Sequence, residues 1–121
     1  MKQVYTEKAP KPVGPYSQAI KSNGFLFVSG QLGVDAQGAI KDTVEHQTEQ
    51  CILNIQHILK QEGLSLEKVV KATVYLADMN DFQKMNSVYE KYFTGKPARA
   101  AVGVALLKNF KVEIEVMAAF E

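Results

Sequence analysis

The rhythm of apolar and polar positions changes along the chain and separates helices from strands. Over residues 43–62 apolar side chains recur at 44, 51, 52, 55, 58 and 59, the spacing of one helix face. Asp42, three residues before Glu45, resembles a capping box, and Gly63 suits a left-handed stop. A second helix is predicted over about residues 81–93, starting at Asn80 and stopping at Gly95, with Phe82, Met85, Tyr89 and Phe93 inward. Residues 69–77 alternate instead, with Val70, Ala72, Val74 and Leu76 on one side, as a half-buried strand does. The apolar run Phe25-Leu26-Phe27-Val28 follows the turn pair Asn23-Gly24 and reads as a strand ending at Ser29-Gly30, paired with residues 18–21 as a hairpin. Two more strands are predicted over residues 98–105 and 111–120, joined by loop 106–109 as another hairpin. Before them all, residues 9–15 hold three of the four prolines and must run extended. The order predicts an α+β fold, a single sheet with both helices on one face, in one domain over residues 1–121.

Composition narrows the partners. The 121 residues are 46% hydrophobic and 22% charged, ordinary for a folded domain. Fourteen basic and 13 acidic residues leave a formal charge of +1, with no basic footprint, so nucleic acid is not an expected partner. The single cysteine, Cys51, lies among apolar helix positions and reads as core. No apolar run approaches the ~20 residues that span a bilayer, and the first residues lack the apolar stretch of a signal peptide, so a cytoplasmic protein is expected.

Chemistry starts from Arg99, the only arginine beside 13 lysines. A guanidinium binds a carboxylate through two parallel hydrogen bonds, which a lysine cannot do. Arg99 alternates with Ala101, Gly103 and Ala105, small residues that leave room around it, while Ala98, Ala100, Val102 and Val104 take the other side. In the last strand Val112, Ile114, Val116, Ala118 and Phe120 form the apolar side and put Glu113 and Glu115 opposite. If both apolar sides lie under the helices, the arginine and the glutamates share the other face. The predicted hairpin sets Glu113 across from Gly103, four residues or ~13 Å from Arg99, a span that a small molecule could bridge. The same pattern also describes a chance surface arginine and a solvated acidic face. His46 and His57, eleven residues apart on one helix, fit no metal site and are expected to face solvent. No serine-nucleophile elbow or phosphate loop is present, so neither a serine triad nor a nucleotide cofactor is expected.

Several motifs in fixed order carry more. Gly14-Pro15-Tyr16-Ser17-Gln18-Ala19, Val28-Ser29-Gly30-Gln31, Lys71-Ala72-Thr73-Val74-Tyr75-Leu76, Asn80-Asp81-Phe82, Asn86-Ser87-Val88-Tyr89, and Pro97-Ala98-Arg99 followed by Val112-Glu113-Ile114-Glu115 resemble the reactive intermediate deaminase family (RidA/YjgF) over nearly the whole chain. The resemblance implies a chorismate-mutase-like fold and a homotrimer with sites in clefts between subunits. It also implies cofactor-free, metal-free hydrolysis of enamine and imine acids such as 2-iminopropanoate and 2-iminobutanoate to 2-keto acids. On this pattern Arg99 grips the substrate carboxylate, Glu113 activates water, and Tyr16, Ser29, Gly30 and Asn86 line the same cleft. Ala101 stands where many members carry cysteine, so a thiol contribution is absent and only its backbone N–H could serve. The loop 106–110 looks one residue shorter than the common form and lacks its Leu-Pro-Lys, which bears on the cleft rim. Two rivals come with the family: a non-catalytic keto-acid-binding or chaperone-like member, and an endoribonuclease or translation inhibitor.

Overall fold

The computed structural model describes residues Met1–Glu121 as strands β1 (Lys2–Val4), β2 (Ala19–Ser22), β3 (Phe25–Leu32), β4 (Val69–Leu76), β5 (Ala98–Gly103) and β6 (Val112–Ala119), with helices α1 (Val44–Gln61) and α2 (Phe82–Tyr92). The six strands form one mixed sheet in the order β1-β2-β3-β6-β4-β5. Asn23 and Gly24 take φ of 57° and 85°, the left-handed pair that a two-residue hairpin turn needs, and fold β2 back on β3. Strand β1 escaped the sequence reading because three residues at a polar terminus offer no period to detect.

Core burial follows the predicted helix faces. Cys51, Ile52, Ile55, Ile58 and Leu59 on α1 and Met85 on α2 are 0% exposed against Leu26, Ala72, Val74, Leu76, Val112, Ile114 and Ala118 of the sheet. Burying one such Ile or Leu contributes about 1.5–3 kcal/mol, which is how an α1 that is polar on its outer face is held. The start of α1 differs in detail. Thr43, not Asp42, is the N-cap: its hydroxyl accepts from the His46 N–H at 3.1 Å, while Asp42 accepts from the Thr43 N–H and the His46 ring. In β4 a register shift between Val69 and Lys71 turns Val69 inward and leaves Val70 exposed, against the simple alternation.

The C-terminal hairpin is the main correction. Strand β5 pairs in parallel with β4, and β6 passes between β3 and β4, so β5 and β6 never touch. A strand that follows a helix returns parallel to the strand before that helix, and β4-α2-β5 is such a unit. The central place goes to β6, whose inner residues Val112, Ile114, Val116 and Ala118 are all buried, while β5, built of alanine, valine, glycine and arginine, takes the edge. Backbone bonds from Val104 N–H to the Leu76 carbonyl and from Ala77 N–H to the Lys111 carbonyl staple the connecting loop to the end of β4.

The pairing also reverses one face. Arg99 lies opposite Ala72, and Ala101 opposite Val74, so Arg99, Ala101 and Gly103 point toward the helices, while Ala98, Ala100 and Val102 line the open face. A side chain at Gly103 would crowd Met79 just ahead of α2, which shows how close that helix connection lies. Glu113 and Glu115, opposite Tyr75 and Thr73, do face the open side as expected. Period two groups residues correctly, but it does not say which group faces the core when one is small and the other weakly apolar.

Candidate active site

The predicted site residues fall into two clusters on opposite faces of the sheet. On the helix side, Arg99 Nη1 donates to Asn86 Oδ1 at 2.6 Å, joining β5 to α2. The guanidinium carbon lies 4.7 Å from the Tyr89 ring centre and 5.6 Å from that of Phe82. Phe82, Asn86 and Tyr89 are four and three residues apart, so one stripe of α2 presents two π faces and an amide oxygen to one cation. Tyr89 is in turn stacked on Phe93, with ring centres 4.4 Å apart, which fixes the platform beneath the charge. Arg99 itself stays exposed, beside a hollow of about 250 Å³ that Asn86, Tyr89, Lys96 and Pro97 also line. The bond to Asn86 and the two ring faces restrict its rotamers. Ala101, two residues on, is partly buried against the core and leaves the space beside Arg99 open.

On the open side, Glu113 lies between Leu32 of β3 and Tyr75 of β4. The β3–β6 register shifts between Val28 and Gln31, and this bulge carries Ser29 and Gly30. A Cβ at Gly30 would overlap the Glu113 carboxylate, so glycine is what lets that side chain lie across β3. Ser29 Oγ donates to the Ser17 carbonyl at 2.6 Å, tying the arm that bears Tyr16 to the bulge. The arm is anchored further by Gln18, which is 1% exposed: its Oε1 accepts from Thr6 N–H, and its Nε2 donates to the Thr6 and Pro10 carbonyls. Tyr16, 51% exposed, is thus displayed on a fixed backbone. Burial, and then the negative charge of Glu115, push the Glu113 carboxyl above its ordinary value of 4.5. Glu115 has a hydrogen-bond donor of its own in the Tyr75 hydroxyl, whereas Glu113 has none within the chain. Of the two candidate carboxylates, Glu113 is therefore the one without a hydrogen-bond partner.

Arg99 and Glu113 do not meet. Two strand spacings and a three-residue offset through β4 put their Cα atoms about 14 Å apart, and the side chains leave the sheet in opposite directions. The expected shared face is replaced by two clusters, Arg99 with Asn86 and Ala101, and Glu113 with Gly30, the latter tied through Ser29 to the arm that bears Tyr16. Phe82, Tyr89 and Tyr75 were missed as members of these clusters. The Phe82, Asn86 and Tyr89 spacing was readable as a helix stripe, but nothing in the sequence aims it at β5.

Other chemistry-bearing groups lie elsewhere. His46 is exposed and pairs with Asp42 at 3.0 Å, whereas His57 is partly buried and its ring Nδ1 meets the Lys8 carbonyl at 2.9 Å, contrary to the solvent-facing expectation. Cys51 is fully buried, and burial drives its thiol far up. No three His, Cys, Asp or Glu side chains converge as a metal site would require. A larger cleft of about 630 Å³, bordered by Lys41, Asp78, Asp81 and Lys111, holds none of the site residues.

Comparison with known proteins places this arrangement. The family model described as Endoribonuclease L-PSP matches residues 6–120. A RutC family protein of Pyrococcus abyssi is 52% identical over 119 residues, 95% of this chain and 94% of its own. The bovine 2-iminobutanoate/2-iminopropanoate deaminase is 48% identical over 121 residues, 97% of this chain and 88% of its own. The crystal structure of the yjgF gene product of E. coli superposes with a TM-score of 0.95 at 37% identity, covering all of both chains. The chain belongs to the RidA/YjgF family, and its sheet of six strands with two helices on one face is that family's fold.

Proposed function

We propose that this protein is a deaminase that hydrolyses small 2-imino acids and their enamine tautomers, such as 2-iminopropanoate and 2-iminobutanoate, to 2-keto acids and ammonia. The observation that carries the reading is the pair of half-sites. One chain offers a guanidinium fixed on an aromatic platform and, on its other face, a half-buried carboxylate without a hydrogen-bond partner. In a 2-imino acid the carboxylate and the C=N carbon are directly bonded, so Arg99 and Glu113 of one chain, whose side chains leave opposite faces of the sheet, cannot serve the same molecule. The site is completed by a second copy, and the molecule is a homotrimer with three clefts, each taking Arg99, Asn86 and Ala101 from one subunit and Glu113, Tyr16, Ser29 and Gly30 from the next. The open sheet face supports self-association, because Phe25, Phe27, Val102 and Met117 are each at least 36% exposed there.

In that cleft Arg99 holds the substrate carboxylate through paired hydrogen bonds and thereby fixes the adjacent C=N carbon. Glu113 takes a proton from water as its oxygen adds to that carbon. Addition to the protonated imine gives a neutral carbinolamine; Glu113 returns the proton to its nitrogen, the C–N bond breaks as ammonia leaves, and the carbinol O–H gives its proton to the freed Glu113 carboxylate as the keto group forms. The raised Glu113 carboxyl suits both directions of transfer better than an ordinary glutamate would. No residue in this scheme requires a cofactor. A non-catalytic keto-acid binder would keep the Arg99 half alone, and an RNA-cleaving member would need a phosphate footprint that a chain of net charge +1 does not offer. No helix is long and apolar enough to cross a membrane, and we place the reaction in the cytoplasm.

The test is complementation between half-sites. Wild type should accelerate ammonia release from 2-iminopropanoate, and Arg99→Ala and Glu113→Gln should each be nearly inactive. Refolding the two variants together at equal amounts should restore about one quarter of wild-type sites, since each cleft draws its halves from two chains at random. Absence of recovery would place both residues' roles within one subunit and break the cleft model, and no wild-type acceleration would end the deaminase assignment.

A further inference from the structure

Glu113 has a neighbour that the reaction scheme leaves unused. Glu115 follows two residues along β6, points the same way, and starts about 7 Å from it. Tyr75 lies directly opposite Glu113 on β4, yet its hydroxyl reaches diagonally to donate to Glu115 Oε1. Among the groups around Glu113, β3 contributes Gly30 and Leu32, which carry no charge. Strand β4 contributes Tyr75 and, farther along the same face, Thr73 and Lys71, while β6 contributes Glu115 ahead, with Lys111 just before its first residue. The α1 side contributes only the buried Cys51 thiol beneath β6. No lysine or arginine forms an ion pair with either glutamate.

Two carboxylates on one partly buried surface resist being ionised together, and the one with a hydrogen-bond donor keeps its charge more readily. The tyrosine decides which one that is. Resting on the reading of Glu113 as the base, we propose that Tyr75 and Glu115 are positioning residues for it: the tyrosine hydroxyl, by donating to Glu115, fixes where that carboxylate lies, and Glu115 in turn shapes the surroundings in which Glu113 takes and gives its proton. The directions for Glu113 and Tyr75 agree. Glu115 contributes to the upward push on Glu113, after burial, and its hydrogen bond is the largest cause that takes Tyr75 up to about 12. A base that must lend its proton to a leaving nitrogen gains from such a neighbour, because the proton is held at a pH where the enzyme works.

The experiment follows the carboxyl itself as well as the rate. The full-length protein, labelled with ¹³C at glutamate carboxyls, is titrated by NMR as wild type, Glu115→Gln and Tyr75→Phe, and kcat/KM for 2-iminopropanoate is measured across the same pH range. In Glu115→Gln the Glu113 midpoint should fall by about one unit, the size expected for losing a charge at this separation in a partly screened site, and the acid limb of kcat/KM should fall with it. In Tyr75→Phe the two carboxyls should titrate as a coupled pair over a broader range, with kcat lowered several-fold and KM held. A Glu113 midpoint unchanged in Glu115→Gln overturns the proposal. Should that variant fail to fold, an unchanged midpoint and width in Tyr75→Phe, which removes one oxygen from a partly exposed ring, overturns it equally. If the midpoint falls while the rate limb stays, the pair tunes Glu113 as proposed and the assignment of Glu113 as the base is what fails.

Discussion

The Arg99 end and the Glu113 end of the molecule solve opposite electrostatic problems. Arg99 sits on an edge strand, exposed, with a charge that no physiological pH removes, and the protein invests in its orientation through Asn86 Oδ1 at 2.6 Å and the faces of Tyr89 and Phe82. Glu113 sits in mid-sheet with no hydrogen-bond donor of its own, and the protein invests in its surroundings through burial, the Glu115 charge and a bulge that brings Gly30 beneath it. A permanent charge with fixed geometry suits holding a substrate; a conditional charge with tuned protonation suits moving a proton. Because the two sit on different elements and different faces, each can be disturbed without unfolding the other, and the contrast can be attacked from both ends.

The largest effect is expected where geometry matters more than charge. Arg99→Lys keeps the cation but loses the paired hydrogen bonds and much of the π contact, each charged hydrogen bond being worth about 1.5–3 kcal/mol, so kcat/KM should fall about 10²-fold or more. Keto-acid affinity measured by calorimetry should fall in parallel, since carboxylate binding is the role proposed for Arg99. A lysine variant with wild-type kcat/KM would mean that the Asn86 and aromatic platform orients nothing the substrate uses.

This end also marks how far the sequence could be read. The helix faces, the Asn23-Gly24 hairpin and the outward Glu113 and Glu115 follow from periods of 3.6 and 2 and from turn chemistry, all local properties. The mispaired C-terminal hairpin did not, because strand order is a tertiary choice: residues 98–105 and 111–120 are adjacent in sequence, but β6 has the better inner face and displaces β5 to the edge. The wrong face for Arg99 has a separate cause, the inference that the more apolar side of its strand, with Val102 and Val104, lies under the helices. A strand of alanines and glycine shows nearly equal sides, so only the parallel register with β4 reveals that its small-residue side is the one under α2. The motif resemblance named Arg99, Asn86, Ser29, Gly30 and Tyr16 as one cleft; a single chain separates them.

At the Glu113 end the sharper probe is steric. Gly30 has no positive φ to protect, so Gly30→Ala adds only a methyl group, and that methyl lands on the Glu113 carboxylate. The carboxylate must swing away while the fold can stay. A shift of about 1 Å at a reacting group can cost up to 10²-fold, and we expect kcat to fall by 10-fold or more with KM and Tm little changed. An unaltered kcat would show that Glu113 does not act from the position it occupies here.

The smallest effect separates the two roles a tyrosine could have beside Arg99. The Tyr89 hydroxyl is buried and has no hydrogen-bond partner in the chain, while its ring carries the guanidinium and stacks on Phe93. A buried donor without an acceptor costs about 1–3 kcal/mol, and a hydroxyl with almost no exposed surface is out of reach of a bound molecule. Tyr89→Phe preserves both π contacts and removes only the hydroxyl. If the ring alone matters, the variant should be more stable by about 1 kcal/mol, or about 4 °C in Tm, with kcat/KM unchanged. If instead the hydroxyl helps seat the ring beneath Arg99, KM should rise several-fold with kcat held, the signature of an interaction that acts equally in ground and transition states. Thermal melts and steady-state kinetics on the same preparation distinguish these outcomes, and a loss of stability would show that the hydroxyl has a partner in solution.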